Sequence, residues 1–458
     1  MNNLPQPASK TRALTQRIVE LWQQIWSGRS GAAAMVQTFA VRIFILSINT
    51  ATGILCARFL GPDGRGEVAA IMIWPQLLSY LLTLGLPAAI IYNVKRHPQY
   101  REQFFGAALL IALGLGAITT GIGIVGLPAW LTQYSAESIY RAQVMMVLAP
   151  VSLLSLVMIA FCEADSDYTV ANQSKYFLPT FTLISLLILA GTNHLTPITV
   201  VLSYMLPSVV VAGWLYRRIS PQFQPVVWRW QQLYQSGRML MGYGLRCYGI
   251  DLLKTLSNRL LGQALVIGLL SPTAMGLYAV AFSISRMLNL FEHAVISVLV
   301  SKASARPIQE IVQLTSCAAR ITTTLTILCV VPLMLLCPML LSFLYGQEFI
   351  GAVPIFRWLL IEVTLGGTTW VLAQAFMAAG KPGVVTILQG IGVGLSIPLL
   401  LVLIPRYGLV GVGYALVIST SLRLLFVLLA YPKVLKQSIP NLLITPADIR
   451  FIRQQFPA

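Results

Sequence analysis

VVTILQGIGVGLSIPLLLVLIPRYGLVGVGYALVISTSLRLLFVLLAY, residues 384–431, contains two apolar runs separated by Pro405-Arg406-Tyr407-Gly408. Its only charged side chains are Arg406 and Arg423. Each run has the roughly 20 residues that a helix needs to cross a hydrocarbon core about 30 Å thick. Proline and glycine between them break the helix and turn the chain. The stretch therefore reads as two neighbouring membrane-crossing helices.

Outward from there, the same alternation recurs back to Ala33. Of the 458 residues, 57% are hydrophobic and 10% are charged, with a mean hydropathy of +0.78. Soluble domains carry charge on about a quarter of their residues, so this composition excludes a water-soluble fold. Hydropathy with turn and charge punctuation predicts spans near 33–57, 68–92, 104–127, 143–162, 176–191, 197–216, 240–270, 275–300, 321–344, 354–378, 384–404 and 409–431. The expected fold class is all-α, a polytopic membrane protein of about twelve transmembrane helices.

A formal net charge of +17 would suit nucleic acid if it lay on one soluble face. Here the basic residues sit in short segments between apolar runs, so no nucleic-acid partner is expected. Cytoplasmic loops retain Lys and Arg during insertion. Alternate segments, from Lys10 and Arg12 through Lys95, Lys175, Arg217, Lys302 and Lys381 to Arg453, carry 20 such residues. The opposite set carries four, Arg58, Arg65, Arg141 and Arg406. Both termini are thus expected in the cytoplasm, with no cleaved signal peptide.

Two polar segments read as interfacial. Arg17 to Trp26 places Ile18, Leu21, Trp22 and Ile25 on one helical face, and Val226 to Tyr234 supplies Trp228, Trp230 and Tyr234 before the seventh span. The organisation that follows is a cytoplasmic segment 1–32, helices over 33–216, a linker 217–239, helices over 240–431 and a cytoplasmic tail 432–458. An internal repeat supports the division. Leu60-Gly61-Pro62 with Gly66 and Ala69 matches Leu270-Ser271-Pro272 with Gly276 and Ala279, as L-x-P-x3-G-x2-A. The offset covers six predicted spans, so both copies would have the same orientation.

Seven basic residues fall inside predicted spans, Arg42, Arg246, Lys254, Arg259, Arg286, Arg357 and Arg423, against three acids, Asp251, Glu292 and Glu362. A charge at bilayer depth costs on the order of 3 kcal/mol unless it faces protein or water. Asp251, Lys254 and Asn258 share one helical face, and Arg286, Asn289 and His293 another. These stripes suggest a cavity to which Arg42 contributes, with excess positive charge suited to an anionic, phosphate-bearing substrate. The expected substrate-binding residues are Arg42, Arg246, Lys254, Arg259 and Arg286. Asp251, Glu292, His293 and Glu362 are candidates for ion coupling. Arg246 and Arg423, near cytoplasmic ends, and Arg357, near an outer end, can equally snorkel to headgroups, and Lys254 can pair with Asp251.

Signs of catalysis are sparse. The predicted outer loops are short, and His97, His194 and His293 lack metal-ligand spacing, so no metal, cofactor or enzymatic activity is expected. Gly61 to Gly66 is glycine-rich but follows a membrane helix rather than a strand, which makes it a turn and not a nucleotide cradle. Cys56, Cys162, Cys247, Cys317, Cys329 and Cys337 lie in or beside apolar runs, where small buried residues are expected rather than disulfides.

ARFLGPDGRGEVAAI (57–71) with LLTLGLPAAI (81–90), SPTAMGLYAVAFSISRML (271–288), and FMAAGKPG (376–383) with IPRYGLVGVGYALVIS (404–419) resemble three regions of the polysaccharide biosynthesis flippases, O-antigen type. These belong to the multidrug/oligosaccharidyl-lipid/polysaccharide exporter (MOP) superfamily. The resemblance implies two six-helix lobes around a central cavity, in a bacterial inner membrane. It further implies alternating-access flipping of an undecaprenyl-pyrophosphate-linked O-antigen, capsule or exopolysaccharide unit. Partners implied are the lipid-linked oligosaccharide, membrane lipids and other polysaccharide assembly proteins. Arg42, Arg246 and Arg259 occupy regions comparable to the cationic cavity of the superfamily's lipid II flippase. Many relatives show Arg-x-Asp on the seventh helix, where this chain has Ser257-Asn258-Arg259. The alternatives are a multidrug or other small-molecule exporter of the same fold, or a membrane glycan polymerase or ligase.

Overall fold

The described residues of the computed structural model are 31–220, 230–257, 260–303 and 306–442, and among them there is no strand. The chain divides into two compact units, 1–49 and 50–458. In the first, residues 31–49 are helical and Arg42 and Phe44 are exposed. The predicted interfacial helix over 17–26 lies outside the described residues.

The helices, in chain order, are α1 (Gly31–Leu81), α2 (Leu86–Arg96), α3 (Arg101–Trp130), α4 (Ala136–Met145) and α5 (Leu148–Ala164). Then come α6 (Tyr168–Gly191), α7 (Pro197–Ile219), α8 (Trp230–Ser257), α9 (Leu260–Leu269) and α10 (Pro272–Met287). The last four are α11 (Asn289–Ala303), α12 (Ile308–Tyr345), α13 (Val353–Ala378) and α14 (Pro382–Ala430). Nine segments among the described residues are long and apolar enough to cross a membrane. Arg42–Leu81 overlaps two predicted spans, and Pro382–Leu435 contains two.

The sequence punctuation explains these joins. Inside α1 the helix is broken at Gly61 (φ 64°), and inside α14 at Gly408 (φ 57°). Both residues occupy the left-handed region that costs glycine nothing, and both adjoin a proline-bearing turn. Polar caps start the next elements. Ser271 Oγ accepts from Ala274 N at 3.4 Å with Pro272 in the first turn of α10, and Thr196 forms a reciprocal capping box with Thr199 on α7. α12 runs well beyond its predicted span 321–344 at the N-terminal end, because hydropathy sees only the apolar part of a helix that continues past it.

Apolar burial holds the second unit together. Ile71, Trp74, Leu127, Tyr278, Phe356 and Leu359 belong to one continuous core, with the Trp74 and Trp130 rings stacked 5.0 Å apart. The lipid-facing complement is visible as exposed large side chains such as Val125, Ile188, Leu335 and Phe343. After α14, Tyr431–Leu435 forms a π-turn whose Tyr431 hydroxyl donates to Leu372 O at 2.9 Å. Lys381 and Arg320 then donate to the carbonyls of Val434 and Asn441, so the described part of the tail is tied to the start of α14 and to α12.

The two copies of the repeated motif meet. A Cβ on Gly66 would overlap the carbonyl oxygen of Pro272, and a Cβ on Gly276 would overlap that of Pro62. Each glycine lets the other copy's proline backbone approach. Thr273 donates to Asp63 across the same contact, and Arg58 donates to the end carbonyls of α12, Leu344 O at 2.8 Å and Phe343 O. At the far end of this half of α1, Gly85 and Gly244 pack backbone to backbone and the Tyr248 hydroxyl donates to Leu81 O.

Candidate substrate cavities

Two cavities open beside α10, and Phe282 lines both. Tyr278, Phe282 and Arg286 recur every four residues and face one; Met275, Ala279 and Ser283 face the other.

The larger, of about 590 Å³, is bounded by one face of α1 after its break, from Arg65 through Met72 and Gln76 to Tyr80. The stripe Leu148, Val151, Ser152, Ser155, Leu156 and Ile159 of α5 lies across from it, completed by α6, α7 and α10. Hydroxyls and amides punctuate an apolar wall. The only charged side chains among its described lining residues are Arg65 and Lys175. Lys175 Nζ lies 3.6 Å from Glu163 Oε1 in a pair open to solvent. Arg65 has no ion pair among the described residues, and its Nε is buried without a hydrogen-bond partner. Of the two carboxylates nearest in sequence, Asp63 accepts from Thr273 and Glu67 points elsewhere. Glu67 accepts from Arg141 Nη1 at 2.9 Å and from Ser138 Oγ at 2.8 Å, while Arg141 also holds Glu137. The Tyr134 phenol is pushed up by burial, and by the Glu67 charge in the same sense.

The smaller cavity, of about 390 Å³, is a charge-matched cluster. Arg286 Nη2 lies 2.6 Å from Glu362 Oε2, with side-chain exposures of 15% and 8%. The Arg286 guanidinium also sits 4.8 Å from the Phe282 ring centroid, and Thr420 Oγ1 donates to Glu362 Oε1 at 3.4 Å. Arg423, Glu292, His293 and Asn289 complete the polar lining. The bare backbone of Gly366 and Gly367 leaves the room. A Cβ on Gly366 would stand 3.5 Å from Glu362 Oε1 and 4.0 Å from Arg423 Nη2, and one on Gly367 would stand 3.1 Å from Glu292 Oε2. Two arginines thus face two glutamates.

Of the residues singled out in the sequence, Arg286, Glu292, His293 and Glu362 are brought together here. Arg246 is exposed on α8, and Arg42 is exposed in the first unit. Arg259 and the side chains of Asp251 and Lys254 lie outside the described residues. Arg423, placed by sequence near a helix end where it could snorkel, instead lines the smaller cavity with its Nε buried. Arg65 and Lys175, counted in the sequence as loop cations, line the larger one. Arg65 was findable: Val68, Ala69 and Met72 follow it at helical spacing on the same face. All six cysteines are free.

The architecture has solved counterparts. The lipid II flippase MurJ, in an inward closed conformation, superposes with a TM-score of 0.70 at 14% identity, covering 91% of this chain and 90% of that one. An inward-facing multidrug resistance MATE family transporter gives 0.65 at 15%, covering 87% and 99%. A MOP superfamily transporter from Pyrococcus furiosus gives 0.59 at 15%, covering 89% and 97%. No curated protein matches the sequence. The fold is that of the MOP superfamily of membrane transporters. Residues 55–354 match the polysaccharide biosynthesis protein family, and the chain belongs to it.

Proposed function

We propose that this protein flips a lipid-linked oligosaccharide across the membrane by alternating access, the saccharide passing through the 590 Å³ cavity while the lipid tail stays in the bilayer. The observation that carries the reading is the make-up of that cavity: among its described lining residues, two cations, no acid, and a wall of Ser152, Ser155, Ser208, Ser283, Gln76 and Gln263 among apolar side chains. Hydroxyl and amide groups exchange hydrogen bonds with a sugar as readily as water does, and the unpaired Arg65 favours a phosphate. An acid-free cavity gives no counter-ion to a cationic drug. Membership of the polysaccharide biosynthesis family supports a glycan cargo, the O-antigen, capsule or exopolysaccharide repeat unit. The membrane is a bacterial inner membrane. With 20 basic residues on one set of segments against four on the other, the termini face the cytoplasm and the Gly61–Gly66 turn faces outward.

The test is flipping of a fluorescent undecaprenyl-pyrophosphate oligosaccharide in liposomes reconstituted with the full chain. Accessibility of the fluorophore to a membrane-impermeant quencher should equilibrate many times faster than in empty liposomes. Transport of a cationic drug with no lipid flipping would overturn the assignment in favour of a multidrug exporter.

A further inference from the structure

We propose that Arg65 is a phosphate-binding station at one end of the larger cavity and that Lys175 marks the entry at the other end. The inference rests on the flippase reading and locates where the phosphate of the substrate sits. Three observations carry it. First, Arg65 is half-buried, with no ion pair among the described residues and a buried Nε lacking any partner. A desolvated charge is costly unless something opposite meets it. Second, the local acids are spoken for. Glu67 and Glu137 both pair with Arg141, which leaves the neighbouring guanidinium open on the cavity side. Glu67 stands two residues along the same helix and so on another face, and Asp63, two residues before, accepts from Thr273. Third, the only other lining cation, Lys175, lies at the opposite end. Glu163, its partner, ends the lining face of α5, whereas Arg141, partner of Glu67, precedes that helix. At 1.5 Å per residue, the length of α5 puts the two stations about 22 Å apart.

The stations differ in character. The Lys175–Glu163 pair is solvent-open and weak, so an arriving phosphate displaces the carboxylate at little cost. The Arg65 guanidinium presents a planar donor fork to two phosphate oxygens and has no competitor. It stands just beside the Gly66–Pro272 contact, so parting of the two turns admits water to this end of the cavity and weakens the grip at the moment of release.

The experiment measures binding of farnesyl diphosphate, farnesol and inorganic pyrophosphate to the purified full-length chain. Native protein is compared with Arg65→Gln, Arg65→Lys and Lys175→Gln, each checked for an unchanged unfolding midpoint. Farnesyl diphosphate should bind native protein more tightly than farnesol. Arg65→Gln should lose roughly ten- to a hundredfold of that affinity, Arg65→Lys should restore only part of it because an ammonium lacks the planar fork, and Lys175→Gln should slow association and weaken binding less than Arg65→Gln does. If inorganic pyrophosphate binds equally well and is lost in the same variant, the station stands and its ligand is a soluble phosphate. Equal diphosphate affinity in native and Arg65→Gln protein overturns the inference. Liposome flipping separates the two claims, because a native chain that binds diphosphate through Arg65 but flips no lipid-linked sugar refutes the transport reading alone.

Discussion

At the scale of single residues, the two cavities use arginine in opposite ways. Arg286 pairs with Glu362, and Arg423 shares their cavity with Glu292, whereas Arg65 lines a cavity with no carboxylate among its described residues. Removing one member of a buried pair leaves the other uncompensated, at a cost of about 3 kcal/mol or more. Glu362→Gln should therefore lower the thermal unfolding midpoint markedly, and adding Arg286→Gln should recover part of the loss. A double variant no more stable than the single would show that the pair does not hold the site together. These roles were only partly legible. Glu362 and Arg286 stand out in the sequence as charges inside apolar runs, and the structure joins them. Arg423 looked like a residue that could snorkel because hydropathy gives depth along a helix but not the rotation about its axis. Arg65 was absorbed into a count of loop charges, since its position beside Gly66 resembles a turn.

At the scale of elements, the turns rather than the helices set the geometry. Apolar runs locate the helices but not all their ends, as the early start of α12 at Ile308 shows, and Gly61 and Gly408 mark the bends inside two long helical segments. The repeated L-x-P-x3-G-x2-A motif was visible as a repeat, but its partner was not, because contact between distant segments leaves no trace in local periodicity. The contact needs bare backbone on both sides. Gly66→Val or Gly276→Val should force the turns apart. In protein carrying Asp63→Cys and Thr273→Cys, with native cysteines replaced, disulfide yield at that end should fall severalfold in either valine variant. An unchanged yield would mean that the approach is not required for closure. The same engineered disulfide, once formed, should stop flipping, and reduction should restore it.

At the scale of the whole molecule, composition decided the solvent before any helix was placed. A chain with one charged residue in ten and a positive mean hydropathy has its outer surface in lipid, which the exposed Val125, Leu335 and Phe343 display. The sidedness derived from basic residues has a direct check. A membrane-impermeant maleimide should label Arg406→Cys in intact cells and Lys381→Cys only after the membrane is opened. The reverse pattern would invert the proposed direction of transport.

The Gly–Pro exchange has one more consequence. Gly66 meets Pro272 while Gly276 meets Pro62, so position i of one copy touches position j of the other, and j touches i. That is the form of an isologous interface about a two-fold axis. An even number of spans between the copies, as the sequence predicts, would set that axis along the membrane normal. Two half-length chains, each with one such turn, would make the same contact as a homodimer. Joining two such copies in one chain would leave that interface intact, while freeing one copy to keep Arg65 and the other to carry Gly276 with no cation beside it.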